Sequence, residues 1–193
     1  MYKALIISIV IALGLGYALY DQVLRVPSQT PKIHIIKDDH LAIEELSTPI
    51  PQTQFKDLNG KLYTLHDFEN KVIILNFWAT WCPPCVKEFP QLLELASLKR
   101  DEVILVLMSV DENTDEINRF IAQLPDASRE QLAMPHVIIA QDTDKHIAHD
   151  LFGSVKYPET YIIDRDLLIK RKVSGVIDWT DVEILKMIDG LAY

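Results

Sequence analysis

The 193-residue chain holds only two cysteines, Cys82 and Cys85, and Pro83-Pro84 separates them. Thiols at that spacing can close into a disulfide and reopen, and they can also ligate a soft metal. A structural disulfide framework would need more cysteines, and a structural zinc site would need two further ligands that no second Cys pair supplies. Two buried small hydrophobes are the bland alternative. The flanking sequence argues against it. Val72 to Trp78 reads as a buried strand, and Cys85 to Leu98 reads as a helix striped by Val86, Phe89, Leu92, Leu93 and Ala96.

A pair at that junction puts its first sulfur at a helix N-terminus, where unpaired N–H groups and the macrodipole favour an anion. Such surroundings lower a thiol pKa from ~8.5 into the ~3.5–7.5 range. Cys82 is therefore the expected nucleophile, and Cys85, one turn further in, the more buried partner. The two prolines lack N–H groups where a first helical turn has no acceptors for them. In the expected cycle Cys82 attacks a substrate disulfide, a mixed disulfide forms, and Cys85 attacks Cys82 to release the product.

Glu88 follows Cys85 by three residues and so shares its helix face. Either it accepts the Cys85 proton during release, directly or through water, or it is a solvated surface glutamate. His146 and His149 are three apart on an expected helix, but no carboxylate or Cys pattern completes a metal site, and they read as surface histidines. Asp142 and Asp144 open like a calcium loop, yet Ile147 and Gly153 stand where its glycine and closing glutamate belong, so they read as a solvated turn.

Several elements must position these residues. Gln54 to Leu58 and Lys61 to Leu65 flank Asn59-Gly60, a hairpin signal because both turn residues tolerate positive φ. A second buried strand is expected at 103–110, then a helix capped by Asn113, with Glu116 placed for a capping box, to about Leu124. A loop over 125–134, a strand at 136–140, a helix near 145–152, strands at 160–163 and 168–174 and a final helix from about Trp179 complete an α/β order.

The string Asn76-Phe77-Trp78-Ala79-Thr80-Trp81-Cys82-Pro83-Pro84-Cys85, with Glu88 and Pro90 after it, resembles the signature of the TlpA/ResA/DsbE (CcmG) branch of thioredoxin-like proteins. The similarity runs from about Pro51 to the C-terminus and includes Pro158-Glu159-Thr160-Tyr161-Ile162-Ile163-Asp164, which resembles the stretch carrying that branch's cis-proline. It implies a thioredoxin-like fold, a central mixed β-sheet flanked by helices with an N-terminal β-hairpin extension, and neither cofactor nor metal. It also implies that Cys82 attacks, Cys85 resolves and Pro158 is a cis-proline facing them across a groove. Trp81, Tyr157 and Glu159 would meet a strand-like substrate. The resemblance favours the functional role for Glu88, because the branch carries a glutamate at the matching place, while Asn76 stands where many thioredoxins carry a buried aspartate. The Pro-Glu-Thr form looks most like the DsbE group, which serves cytochrome c maturation. Two features depart from the pattern: Tyr157 replaces a usually smaller residue, and Arg165-Asp166-Leu167 lacks the usual turn glycine.

Ala4 to Tyr20 is apolar except for Ser8 and lies between Lys3 and Asp21. At ~1.5 Å per residue it just reaches across a ~30 Å hydrocarbon layer, and Lys3 favours an N-terminus in the cytoplasm. A cleaved signal peptide ending near Gly14-Leu15-Gly16 and a buried core helix are the other readings. The expected division is a signal-anchor at 1–20, a linker at 21–48 and a thioredoxin-like domain at 49–193. A net charge of -9 argues against nucleic-acid partners.

The whole reads as a single-pass protein of a bacterial inner membrane, its catalytic domain facing the periplasm or the exterior. There it would reduce protein disulfides, apocytochrome c among the candidate substrates, and be re-reduced by a membrane thiol-electron transporter. One rival is a disulfide-donating oxidase of the same fold. Another is a copper carrier using Cys82 and Cys85 as soft ligands, although Tyr157-Pro158-Glu159 lacks the histidine such carriers add.

Overall fold

All seven residues from Val72 to Trp78 are buried, which an extended chain achieves only when other elements cover both of its faces. The computed structural model describes residues 33–34 and 42–192; the apolar run at 4–20 and most of the expected linker lie outside the described residues. Among the described residues no helix is long and apolar enough to cross a membrane.

In chain order the strands are β1 Ile33–His34, β2 Ala42–Pro49, β3 Gln54–Lys56, β4 Leu62–Thr64, β5 Val72–Trp78, β6 Val103–Ser109, β7 Val137–Gln141, β8 Glu159–Ile163 and β9 Leu168–Ser174. The helices are α1 Pro83–Leu98, α2 Thr114–Gln123, α3 Asp126–Leu132 and α4 Val182–Ala192, with a 3-10 turn at Leu65–Phe68 and a π-helical turn at His146–Leu151. One sheet runs in the order β1-β2-β9-β8-β5-β6-β7. It is mixed: β5, β6 and β7 are parallel, whereas β8, β9 and β2 follow as antiparallel neighbours.

Consecutive strand residues point to opposite faces, and β5 shows what that divides. Trp78 packs on Phe89 of α1 and Phe120 of α2, with ring centroids 4.7 and 5.1 Å away. Phe77, one residue earlier, meets Phe152 at 5.5 Å and Tyr161 at 6.0 Å on the other face.

Away from the active site, the structure departs from the sequence reading in four places. The sheet begins inside the stretch read as linker, because Ala42–Pro49 pairs along β9, with a register irregularity between Glu45 and Thr48 that breaks its alternation. The hairpin strands are shorter than expected, and the turn is a three-residue loop rather than a two-residue one. Gly60 alone takes φ +83°, the Gly60 amide donates to the Asp57 carbonyl at 3.0 Å, and the Asp57 amide donates to the Lys61 carbonyl at 3.0 Å. The expected loop at 125–134 contains α3, a short polar helix without a full apolar stripe. The last helix starts at Val182, where the Asp181 carboxylate accepts the Glu183 amide at 2.8 Å, leaving Trp179 ahead of it and fully buried.

Candidate active site

The end of β5 delivers the cysteines. Cys82 is the N-cap of α1, and Pro83 and Pro84 fill the first two helical positions, so the first N–H available to face the sulfur is that of Cys85, which donates to Cys82 Sγ at 3.3 Å. The two sulfurs are joined in a disulfide with the Cα atoms 5.3 Å apart. Cys82 is 5% and Cys85 1% exposed.

The loop ahead of Cys82 is fastened by a residue that does not stand out in the sequence. Buried Asp111 accepts the Thr80 amide at 3.0 Å and the Thr80 hydroxyl at 2.7 Å, and Ser109 Oγ donates to it at 2.6 Å. The parallel register of β5 on β6 pairs Trp78 with Ser109, and continuing it by two residues sets Thr80 beside Asp111. That pairing is the signal that would have found the contact.

Glu88 is not a surface glutamate: it is 1% exposed. Asn76 Nδ2 donates to Oε1 at 3.0 Å and Trp179 Nε1 donates to Oε2 at 3.2 Å. Burial pushes the carboxyl up to about 7, against the two donated hydrogen bonds, which hold it lower than burial alone would. Asn76 Nδ2 also donates to Thr160 Oγ1 at 2.9 Å, tying β5 to β8 on this face of the sheet. Nothing near Glu88 in the sequence announces Trp179.

Across from the disulfide, the Tyr157-Pro158 peptide bond is cis. Tyr157 is half-buried; burial first, then the charges of Asp142 and Glu159, raise its phenol above the ordinary value, so it stays a neutral hydroxyl. Its ring meets Trp81, the residue before Cys82, edge to face at 6.1 Å, and Trp81 is 58% exposed. Glu159, expected to meet substrate, is 6% exposed. Its Oε1 accepts from Ser174 Oγ at 2.6 Å and pairs with Lys172 Nζ at 3.1 Å, because Ser174 is its register partner on β9 and Lys172 lies two residues along the same face. It turns inward and offers no side chain to a bound peptide.

The helix expected near 145–152 is a π-helical turn, and Asp142 is not a solvated turn residue. It is 4% exposed, and its carboxylate accepts the amides of Ile147 at 3.2 Å and Ala148 at 2.7 Å, opening that turn. Burial raises this carboxyl, the two backbone bonds opposing it. The turn carries His149 to within 2.9 Å of the Tyr157 hydroxyl, so a histidine read as surface decoration borders the site. His146 instead pairs with Asp150 at 2.9 Å.

A reactive-sulfur pair at a helix N-terminus, a buried carboxyl three residues further on and a cis-proline loop alongside can together run thiol–disulfide exchange. A family model described as Redoxin matches residues 45–187. The thiol-disulfide oxidoreductase ResA of Bacillus thuringiensis subsp. konkukian (strain 97-27) is 31% identical over 132 residues, covering 68% of this chain and 70% of that protein. ResA of Bacillus subtilis (strain 168) is 27% identical over 172 residues, covering 89% of this chain and 83% of that protein. Among solved structures, a thiol:disulfide interchange protein DsbE from Chlorobium tepidum shares the fold with a TM-score of 0.65 at 21% identity, over 77% of this chain and 99% of that one. StoA from Bacillus subtilis does so with a TM-score of 0.56 at 22% identity, over 72% of this chain and 96% of that one.

Proposed function

Because this chain belongs to the Redoxin family and is a thiol–disulfide oxidoreductase of thioredoxin-like fold, we propose that it works outside the cytoplasm, tethered by its N-terminal apolar run, as a reductant of protein disulfides in cytochrome c maturation. The observation that carries the reading is the Cys82–Cys85 disulfide at the N-terminus of α1 with buried Glu88 behind it and the cis-Pro158 loop alongside.

In the reduced protein the Cys82 thiolate attacks one sulfur of a substrate disulfide. The Cys82–substrate bond forms, the substrate S–S bond breaks, and the departing substrate thiolate takes up a proton. Cys85 then gives its proton to Glu88, whose carboxyl, pushed up to about 7 by burial, is poised to exchange a proton near neutral pH. The Cys85 thiolate attacks Cys82 Sγ, the intramolecular disulfide closes, and the second substrate thiolate leaves and is protonated. Two electrons have passed to the substrate. A membrane thiol-electron transporter, a dithiol donor, returns them and resets the pair.

The direction of flow is a matter of potential, so the reading is tested by equilibrating the full-length protein with thiol–disulfide buffers. A potential close to ~-270 mV fits a reductant; one close to ~-120 mV makes the protein a disulfide donor and overturns it. In cells, Cys85→Ala should accumulate mixed disulfides through Cys82 with exported Cys-x-x-Cys proteins, and their absence counts against the proposed order of attack.

A further inference from the structure

Three rings from three separate segments meet beside the disulfide. Trp81, adjoining Cys82, is 58% exposed and lies edge to face with Tyr157 at 6.1 Å and 73°. Tyr157 lies parallel to the exposed His149 imidazole at 6.5 Å and 12°, and its hydroxyl is 2.9 Å from His149 Nε2. A tyrosine on a loop would otherwise choose among rotamers; a hydrogen bond at its tip, made nearly in the plane of both rings, and the edge contact with Trp81 favour one.

His149 is itself held. Its π-helical turn is opened by the Asp142 carboxylate, and Phe152, three residues later, is buried against Phe77 and Tyr161 at 5.5 and 4.9 Å. A rigid core therefore reaches through Phe152 and His149 to the Tyr157 ring and on to Trp81. Single exposed rings need no explanation, but a contiguous set fixed beside a reactive sulfur marks a contact surface. Tyr157 also directly precedes cis-Pro158, whose loop is where an extended peptide would pair by its backbone, so side chains flanking a substrate cysteine would pass over these rings.

We propose that Trp81, Tyr157 and His149 form a selectivity ledge for a planar side chain, aromatic or imidazole, next to the attacked cysteine of a peptide disulfide, with His149 as the positioning residue that fixes the Tyr157 ring. The inference rests on the thiol–disulfide exchange described above and names which peptide disulfides it favours. An edge or face contact with a fixed ring is worth roughly a two- to tenfold preference.

The test uses the reduced full-length protein in single turnover against two otherwise identical Cys-x-x-Cys disulfide peptides, one with phenylalanine beside the cysteines and one with alanine. The phenylalanine peptide should be favoured roughly two- to tenfold, in the half-saturating concentration rather than in the limiting rate. His149→Ala and Tyr157→Phe should both shrink that preference, and His149→Gln, which keeps a hydrogen-bonding nitrogen for the Tyr157 hydroxyl, should restore part of it. Equal use of both peptides by the unaltered protein, or undiminished preference in His149→Ala, overturns the ledge. Failure to reduce either peptide overturns the exchange reading beneath it instead.

Discussion

Glu88 shows what one buried carboxyl contributes and what a sequence conceals. Its folded value is raised to about 7 from 4.5, so between those values the folded protein keeps a proton that the unfolded chain has lost. For a raised acid, stability from this group is greatest below the unfolded value, falls as pH climbs and levels off above about 7, a swing on the order of 3 kcal/mol. Glu88→Gln should flatten that slope in denaturant titrations at successive pH values, without regaining the full stability, because its amide would face one of the donors Asn76 and Trp179. The same substitution should slow release of the mixed disulfide roughly a hundredfold in rapid-mixing experiments, as loss of a proton acceptor does. The prolines are a second lever at this scale. Pro84→Ala restores a backbone donor at the second position of α1, aimed at Cys82 Sγ, and should lower the Cys82 thiol pKa by roughly half a unit and make the potential more oxidising. Thiolate absorbance against pH measures the first. The cysteines and prolines announced this chemistry in the sequence; the burial of Glu88 did not, since Trp179 lies 91 residues away.

At the scale of elements, the π-helical turn sets the border of the site, and Gly153 ends it. Gly153 takes φ +68°, with its amide donating to the His149 carbonyl at 3.1 Å and the Ser154 amide donating to the Ala148 carbonyl at 2.7 Å. A Cβ there would meet nothing within 4 Å, so the cost of Gly153→Ala is conformational alone, about 1–2 kcal/mol by chemical denaturation. The elements that the sequence placed closely are the ones with one dominant signal. The apolar runs of β5 and β6 and the stripe of α1 stand out because burial on both faces or along one stripe leaves a clear pattern. β2 was hidden by its irregular register against β9, and α3 by its polarity and seven-residue length. The hairpin is legible in the sequence but its turn type is not, because Asn-Gly suits a two-residue loop and a three-residue loop ending in Gly60 equally well.

At the scale of the whole described molecule, the sheet is finished at its margins by segments outside the central strands. The hairpin covers β7, the Leu58 amide donating to the Ile139 carbonyl at 3.1 Å beside an Asp57–Ala140 bridge. β2 covers β9, adding a Glu45–Arg171 ion pair at 2.8 Å. A chain shortened to begin at residue 50 would expose the β9 edge as a row of unpaired backbone groups. It should melt at least ~5 °C lower than one beginning at residue 32 and self-associate on size-exclusion chromatography. Between those margins, β5 and β8 run as a wall. Asn76, Thr160 and Glu88 meet on the side where α1 lies, while Phe77, Tyr161 and the turn bearing His149 occupy the other. On the proposed reading, acid–base handling and peptide choice therefore lie on opposite faces of this wall. If both proposals hold, the clientele is free to be altered from one side without disturbing the proton circuit on the other.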